Sequence, residues 1–362
     1  MTNPPILPAI LSCSSTSLSD EEKYFLAKVN PVGINIFGRN IENKQQLKNL
    51  IKEIKEVIGR DNVLIAIDQE GGRVRRLKEP EFRSYAAATE IGSLALNKTI
   101  KAAELQASLI TSDLNELGIN VNYAPVLDIA YPNTSEALKS RCFSSDNNIV
   151  SQLGKITVDT YLKYGILPCI KHMPGHGRAS VDPHLNLPII HETIEDLEQD
   201  FYPFKQLNYC PLGMTAHIVI SAIDNKLPVT QSPNAISYII RNIIGFDGLL
   251  ISDAIDMKAL SGSVGEKTLR SLKAGCDVIC YALGNMKEMQ EIASNCPPMS
   301  DNSLERFAKA TKIFQNKQQI DDIKSLSEEY NNIIGNITPY QETYDATEVL
   351  NRLQSTKGDK KC

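Results

Sequence analysis

Three of the five histidines in this 362-residue chain fall within one stretch, Lys171-His172-Met173-Pro174-Gly175-His176-Gly177 through Asp182-Pro183-His184. It directly follows the apolar run Ile166-Leu167-Pro168-Cys169-Ile170. An apolar run that ends in Lys-His and breaks on Pro-Gly reads as a buried strand delivering polar side chains to a loop. Histidine, with an ordinary pKa of ~6.5, exchanges protons at neutral pH, and a neighbouring carboxylate fixes its tautomer and favours its charged form. Asp182 and His184 are spaced to be such a pair, and Gly175 and Gly177 are expected to let the loop swing. Two other readings stay open at this point. His172, His176, Asp182, His184 and His217 are all ordinary zinc-ligand types, although Pro174-Gly175 denies the His-x3-His pair a shared helical face. The histidines could also simply hydrogen-bond backbone.

The second chemical candidate is Asp253, in Gly248-Leu249-Leu250-Ile251-Ser252-Asp253-Ala254-Ile255-Asp256-Met257. A carboxylate closing an apolar run is anionic at neutral pH and able to attack an electrophilic carbon or steady a cation. Its bland alternative is capping of a following helix, a role that suits Asp256 better than catalysis does. Other polar residues close other runs: Asp68, Asp128, Lys171 with His172, and His217. Asp68 leads into Gln69-Glu70-Gly71-Gly72-Arg73-Val74-Arg75-Arg76, which lacks the Gly-Lys-Ser/Thr ending of a phosphate loop and suits sugar hydroxyls equally well. There Asp68 could accept hydroxyl hydrogen bonds and Arg76 could donate to ring oxygens or carboxylates. Arg141 by itself reads as a surface arginine.

Positioning these groups requires strands whose ends converge. Short β-branched runs alternate with helical-period segments: Ile6 to Leu11, Val32 to Phe37, helix Lys44 to Ile58, Val63 to Asp68, helix Ala102 to Leu117, and Ile119 to Leu127. Then follow helix Ile149 to Tyr164, strand Ile166 to Ile170, a helix containing Phe204 to Leu207, strand Leu212 to Ala216, helix Ala235 to Ile243, strand Leu249 to Ser252, helix Glu266 to Ala274, and strand Asp277 to Tyr281. Eight strands without an early G-x-G-x-x-G fingerprint favour an α/β fold of the TIM-like (β/α)8 type over an open doubly wound sheet. The expected organisation is a single barrel domain over residues 1–325 and a helical, then polar, C-terminal extension over residues 326–362.

Composition bounds the partners. Thirty-eight basic and 43 acidic residues leave a net charge of −5 with no single-sign block. That gives no footprint for nucleic acid or an anionic membrane. No apolar run approaches ~18 residues, and Met1-Thr2-Asn3-Pro4-Pro5 offers neither a charged nor an apolar leader region. The eight cysteines (13, 142, 169, 210, 276, 280, 296, 362) form no C-x-x-C pair, and several sit inside apolar strands. They read as reduced thiols in a cytosol-like compartment.

Four motifs together resemble glycoside hydrolase family 3: Ile67-Asp68-Gln69-Glu70-Gly71-Gly72-Arg73-Val74; Lys171-His172-Met173-Pro174-Gly175-His176-Gly177 with Asp182-Pro183-His184; Met214-Thr215-Ala216-His217; and Gly245-Phe246-Asp247-Gly248 with Ser252-Asp253. They occur in the family's order from about Ile34 to Tyr281, and the similarity is greatest to its single-domain β-N-acetylglucosaminidases of peptidoglycan recycling. The resemblance implies a TIM-like barrel and a retaining mechanism. It makes Asp253 the nucleophile, His184 the general acid/base and Asp182 its partner. It places Asp68, Arg76, Arg141, Lys171 and His172 around the terminal N-acetylglucosamine, with His217 lining the same pocket. No metal or other cofactor is implied, and the expected partner is a small carbohydrate or muropeptide met by a cytoplasmic monomer. A β-glucosidase, a phosphorylase using phosphate in place of water, and an inactive sugar-binding module are the alternatives on the same fold. Two positions depart from the pattern: Ala254 replaces the carboxylate that usually follows the nucleophile, and Pro183 replaces the usual serine between the dyad members.

Overall fold

A computed structural model describes residues 4–180, 187–315 and 317–335. Eight parallel strands close into a barrel: β1 (Leu7–Ser12), β2 (Pro31–Ile36), β3 (Leu64–Ile67), β4 (Val121–Asn122), β5 (Leu167–Met173), β6 (Leu212–Thr215), β7 (Leu249–Ala254) and β8 (Val278–Cys280). Each pairs with its neighbours in sequence, and β8 closes on β1 with Ala9 opposite Ile279 and Ile10 opposite Cys280. Helices lie between the strands, and a two-stranded parallel ribbon, Ile189–Ile190 with Val219–Ile220, lies outside the barrel sheet.

Both faces of the strands are buried, so the runs read as continuously apolar rather than alternating. The alternation survives in where each side chain goes. Leu64, Ala66, Val121, Leu167, Cys169, Leu249 and Ile251 belong to one interior cluster, whereas Ile65, Ile67, Ile170 and Leu250 pack toward the helices. Met299 and, from helix Asp301–Thr311, Phe307 and Ala310 join the interior cluster. Apolar side chains fill the barrel, which is a packed core and not a pore.

Several helices carry the caps that their sequences announce. Ser19 with Glu22, Thr193 with Asp196 and Ser263 with Glu266 form capping boxes. Helix Ile323–Ile334 packs on helix Leu96–Leu117 and buries Tyr330. The Tyr330 hydroxyl donates to Gln106 Oε1 at 2.5 Å and accepts from the Ala86 N–H at 2.9 Å.

Seven cysteines lie among the described residues; all are free thiols and six are buried. Burial pushes the pKa of Cys210 and of Cys276 up to about 12. No helix among the described residues is long and apolar enough to cross a membrane.

Candidate active site

The interior alternation continues one step beyond the apolar layer, and that step delivers the charged groups. Asp68 follows Ala66 by two residues, Lys171 follows Cys169, and Asp253 follows Ile251. Residues two apart on a strand share a face. All three therefore emerge together at the carboxyl rim, where barrel sites form.

Lys171 is nearly fully buried. Its Nζ lies 2.9 Å from Asp68 Oδ1 and 2.7 Å from Glu70 Oε1. Arg76 Nη2 holds the other Asp68 oxygen at 3.1 Å. Arg141, which by itself reads as a surface arginine, faces inward and grips Glu70 with two bonds of 2.8 Å, from Nε and Nη2. Burial opposes ionisation of Asp68, but Lys171 and Arg76 outweigh it and hold the carboxyl well below the usual range. For Glu70 burial is likewise overcome, by Arg141 and Lys171, and its pKa falls. Burial also works against the charge on Lys171 and on Arg141, yet the facing carboxylates raise both pKa values. The cluster is thus a fully ionised lattice whose members restrain one another.

His172 continues the chain of contacts. Its Nδ1 lies 2.7 Å from Asp128 Oδ2, and Arg141 Nη2 lies 3.4 Å from its Nε2. Since a carboxylate only accepts and a guanidinium only donates, the proton belongs on Nδ1 and the lone pair on Nε2 faces Arg141. Asp128, with no exposed surface, also accepts the His176 backbone N–H at 2.7 Å. The histidines' rings meet edge to face with centroids 5.8 Å apart. Burial, only partly offset by Asp128, lowers the His176 pKa to about 4 and keeps that ring neutral at ordinary pH.

Asp253 stands at the end of β7, half-buried. Its Oδ1 accepts the Ala254 N–H at 2.7 Å and its own N–H points to Thr215 Oγ1 at 3.4 Å. Helix Val264–Ala274 begins beyond Ser263, which caps it, so neither Asp253 nor Asp256 has the capping role considered for them. Asp256 instead accepts the Ala282 N–H at 2.8 Å. His217, fully buried, sits behind this strand end with Nε2 3.0 Å from the Ala254 carbonyl and Nδ1 2.8 Å from Thr230 Oγ1. The carbonyl can only accept, so Nε2 is the donor.

The structure brings Asp68, Arg76, Arg141, Lys171 and His172 into one contiguous lattice, with Asp253 on another strand end of the same rim. Asp182, Pro183 and His184 lie outside the described residues. Sequence reasoning left Glu70 and Asp128 without a role. The signal for Glu70 was its two-residue spacing from Asp68, which repeats the strand period just past β3. Gly175, at a φ of +132°, and Gly177 also sit where a side chain has little room. A Cβ on Gly177 would fall 1.8 Å from the Ile129 carbonyl oxygen, and one on Gly175 would fall 3.0 Å from Asp200 Cβ. They allow close packing of the turn. Among the described residues no group of three or more His, Cys, Asp or Glu side chains is arranged to hold a metal ion.

With this geometry in place, comparisons with known proteins are specific. Residues 9–309 match the model for the glycosyl hydrolase family 3 N-terminal domain. A β-hexosaminidase of Bordetella avium is 30% identical over 309 residues, covering 83% of this chain and 84% of the relative. The crystal structure of native NagZ from Neisseria gonorrhoeae superposes with a TM-score of 0.82 at 26% identity, covering 93% of this chain and all of the other. A family 3 β-N-acetylglucosaminidase from a Paenibacillus species superposes with a TM-score of 0.77 at 25% identity, covering 96% of this chain and 66% of that one.

Proposed function

This chain belongs to glycosyl hydrolase family 3 and is a glycoside hydrolase of the β-hexosaminidase type, and from that premise we propose a retaining exo-β-N-acetylglucosaminidase. Its substrates are terminal N-acetylglucosamine units on muropeptide-derived disaccharides such as GlcNAc-1,6-anhydroMurNAc, in peptidoglycan recycling. The observation that carries the reading is Asp253 at the barrel rim together with the Asp68–Lys171–Glu70–Arg141–His172 lattice. Such a lattice offers fixed donors and acceptors to sugar hydroxyls without reorganising, because Asp68, Lys171, Glu70 and Arg141 are each braced by a neighbour of opposite charge and His172 is held between Asp128 and Arg141.

In the first half-reaction a carboxylate oxygen of Asp253 attacks C1 as the glycosidic C1–O bond breaks. The departing oxygen takes a proton from the His184 imidazolium. In the second, neutral His184 takes a proton from water as the water oxygen attacks C1. The ester bond to Asp253 then breaks, releasing the sugar with its β configuration retained. Asp182 holds the His184 ring for both transfers, and His217 braces the strand end that carries the nucleophile. The protein works as a monomer on a small carbohydrate in a cytosol-like compartment, where buried, unpaired thiols are at home.

The test uses an aryl N-acetyl-β-glucosaminide. Wild type should release the β-anomer first, as read by proton NMR, and Asp253→Asn should lose ~1,000-fold or more in kcat/KM. Full activity of Asp253→Asn removes the nucleophile assignment. A product phosphorylated at C1 when phosphate is supplied makes the protein a phosphorylase, preference for the aryl glucoside makes it a glucosidase, and saturable binding without turnover makes it a binding module.

A further inference from the structure

Two hydroxyls that the mechanism leaves unused stand behind the strand end that carries Asp253. Thr215 closes β6, and Thr230 sits in a short helical turn, Val229–Gln231, that folds back onto the chain leaving that strand. Neither has any exposed surface. The turn is pinned by two contacts of its own: the Val229 N–H donates to the Ile218 carbonyl at 2.8 Å, and the Cys276 thiol donates to the Thr230 carbonyl at 3.6 Å.

With His217 these hydroxyls complete a circuit. The Asp253 N–H donates to Thr215 Oγ1 at 3.4 Å, and Thr215 Oγ1 lies 2.8 Å from Thr230 Oγ1. Thr230 Oγ1 lies 2.8 Å from His217 Nδ1, and His217 Nε2 lies 3.0 Å from the Ala254 carbonyl. The two backbone ends set the direction of every bond. Because the carbonyl only accepts, Nε2 carries the proton and the neutral ring has its lone pair at Nδ1. Thr230 gives its single proton to that lone pair, although the Ala216 carbonyl also lies within 3.1 Å. The Thr230 oxygen accepts from Thr215, whose own oxygen accepts from Asp253. The circuit thus begins and ends on neighbouring residues of β7. It grips the peptide groups on either side of the one whose N–H holds Asp253 Oδ1 at 2.7 Å. Ala254 has no polar side chain to share the task, so the backbone is the handle.

We propose that Thr215 and Thr230 are positioning residues for the nucleophile: acting with His217, they fix the backbone of Asp253 and Ala254 and so the direction in which the Asp253 carboxylate faces. The inference rests on the nucleophile reading given above. Neither hydroxyl touches a reacting atom; each acts through the strand end it holds. A hydroxyl donates and accepts at once, which lets threonine stand in the middle of a directed chain that valine, of similar shape, interrupts.

The experiment measures kcat and KM separately on an aryl N-acetyl-β-glucosaminide. Wild type is compared with Thr215→Val, Thr230→Val, the double variant, Thr230→Ser and Asp253→Asn. Thr111→Val serves as a control for the loss of a buried hydroxyl elsewhere: Thr111 is equally buried, in helix Leu96–Leu117, and bonds only its own helix through the Ala107 carbonyl at 2.7 Å. Each valine variant at the circuit should lose ~10- to 100-fold in kcat with KM changed less than about 3-fold, the scale expected of a misplaced catalytic group. The double variant should lose no more than the worse single one, because a circuit already open is not opened further. Thr230→Ser, which keeps the hydroxyl, should recover most of the loss, and Thr111→Val should keep its kcat. Thr215→Val breaks a different link from Thr230→Val, so the split between kcat and KM is read even where one of them folds poorly. Unchanged kcat in the valine variants, losses that multiply in the double variant, or Thr230→Ser no better than Thr230→Val overturns the proposal. So does an equal kcat loss in Thr111→Val. If Asp253→Asn keeps full activity, the nucleophile reading fails and the positioning role falls with it. If Asp253→Asn is inactive and the valine variants keep kcat, only the positioning role fails.

Discussion

Glu70 accepts three charged hydrogen bonds, two from Arg141 and one from Lys171. Its depressed pKa has a stability consequence with a definite sign. A carboxyl whose folded pKa lies below its unfolded value, ~4, adds stability above that value and loses it as pH falls through the folded one. Asp68 and Asp128 are lowered likewise, so all three pull the same way. Glu70→Gln should be less stable than wild type at pH 7, with the gap narrowing as pH falls below the unfolded value, ~4. Urea unfolding at a series of pH values reads this, and a gap of constant size down to pH 3 would refute it. Asp68, Arg76, Lys171 and His172 were legible because each ends a run or follows one closely, and Arg141 became legible only through the family pattern. Glu70 and Asp128 were not, since a buried carboxylate is recognised by the donors around it, and those arrive from 71 and 44 residues away.

Element boundaries were clear where a cap or a breaker marks them and unclear where neither does. Helix Lys44–Ile58, ended by Gly59, matches its expected span. Helix Leu96–Leu117 begins a turn and a half before its expected start because Ala95 supplies no side-chain cap to announce it. The apolar run Ile119 to Leu127 suggested a full strand, yet only Val121–Asn122 pairs as β4, since Pro125 has no N–H to give a ladder. Conversely β5 runs on through Lys171 and His172 to Met173, because neighbouring rims pair with it: Met173 sits opposite Thr215 and Val126 bridges Lys171. The helix Ile323–Ile334 offers a test at this scale. Gln106 Nε2 reaches the Glu70 carbonyl at 3.4 Å and the Ala86 carbonyl at 3.2 Å, and Tyr330 braces Gln106 from behind. Tyr330→Phe leaves the Gln106 oxygen and the Ala86 N–H buried without this partner. It should cost about 1–3 kcal/mol of unfolding free energy, measured by denaturant titration. A change below ~0.5 kcal/mol would mean that this helix contributes only apolar packing.

At the scale of the whole molecule, the barrel separates two tasks. Its interior and the layer beneath the helices carry stability, while the carboxyl rim carries charge that would be intolerable anywhere deeper. Family membership was legible from four motifs because their residues are fixed by chemistry at the rim. The packing that joins them was not, because many apolar sequences fill the same space. The buried thiols acquire a use from this division. Free cysteines lie in both packing layers, with Cys169 and Cys280 in the interior and Cys13, Cys210 and Cys276 beneath the helices. Thiols so shielded do not meet an alkylating reagent while the fold is closed. In a Cys296→Ser, Cys362→Ser background, iodoacetamide modification should proceed only as fast as the barrel opens, with all six remaining sites reacting together if opening is global. Mass spectrometry of the time course would then give this enzyme a built-in clock for its own opening, without an introduced label. Early modification of one layer alone would show that the wall of helices comes away before the ring of strands does.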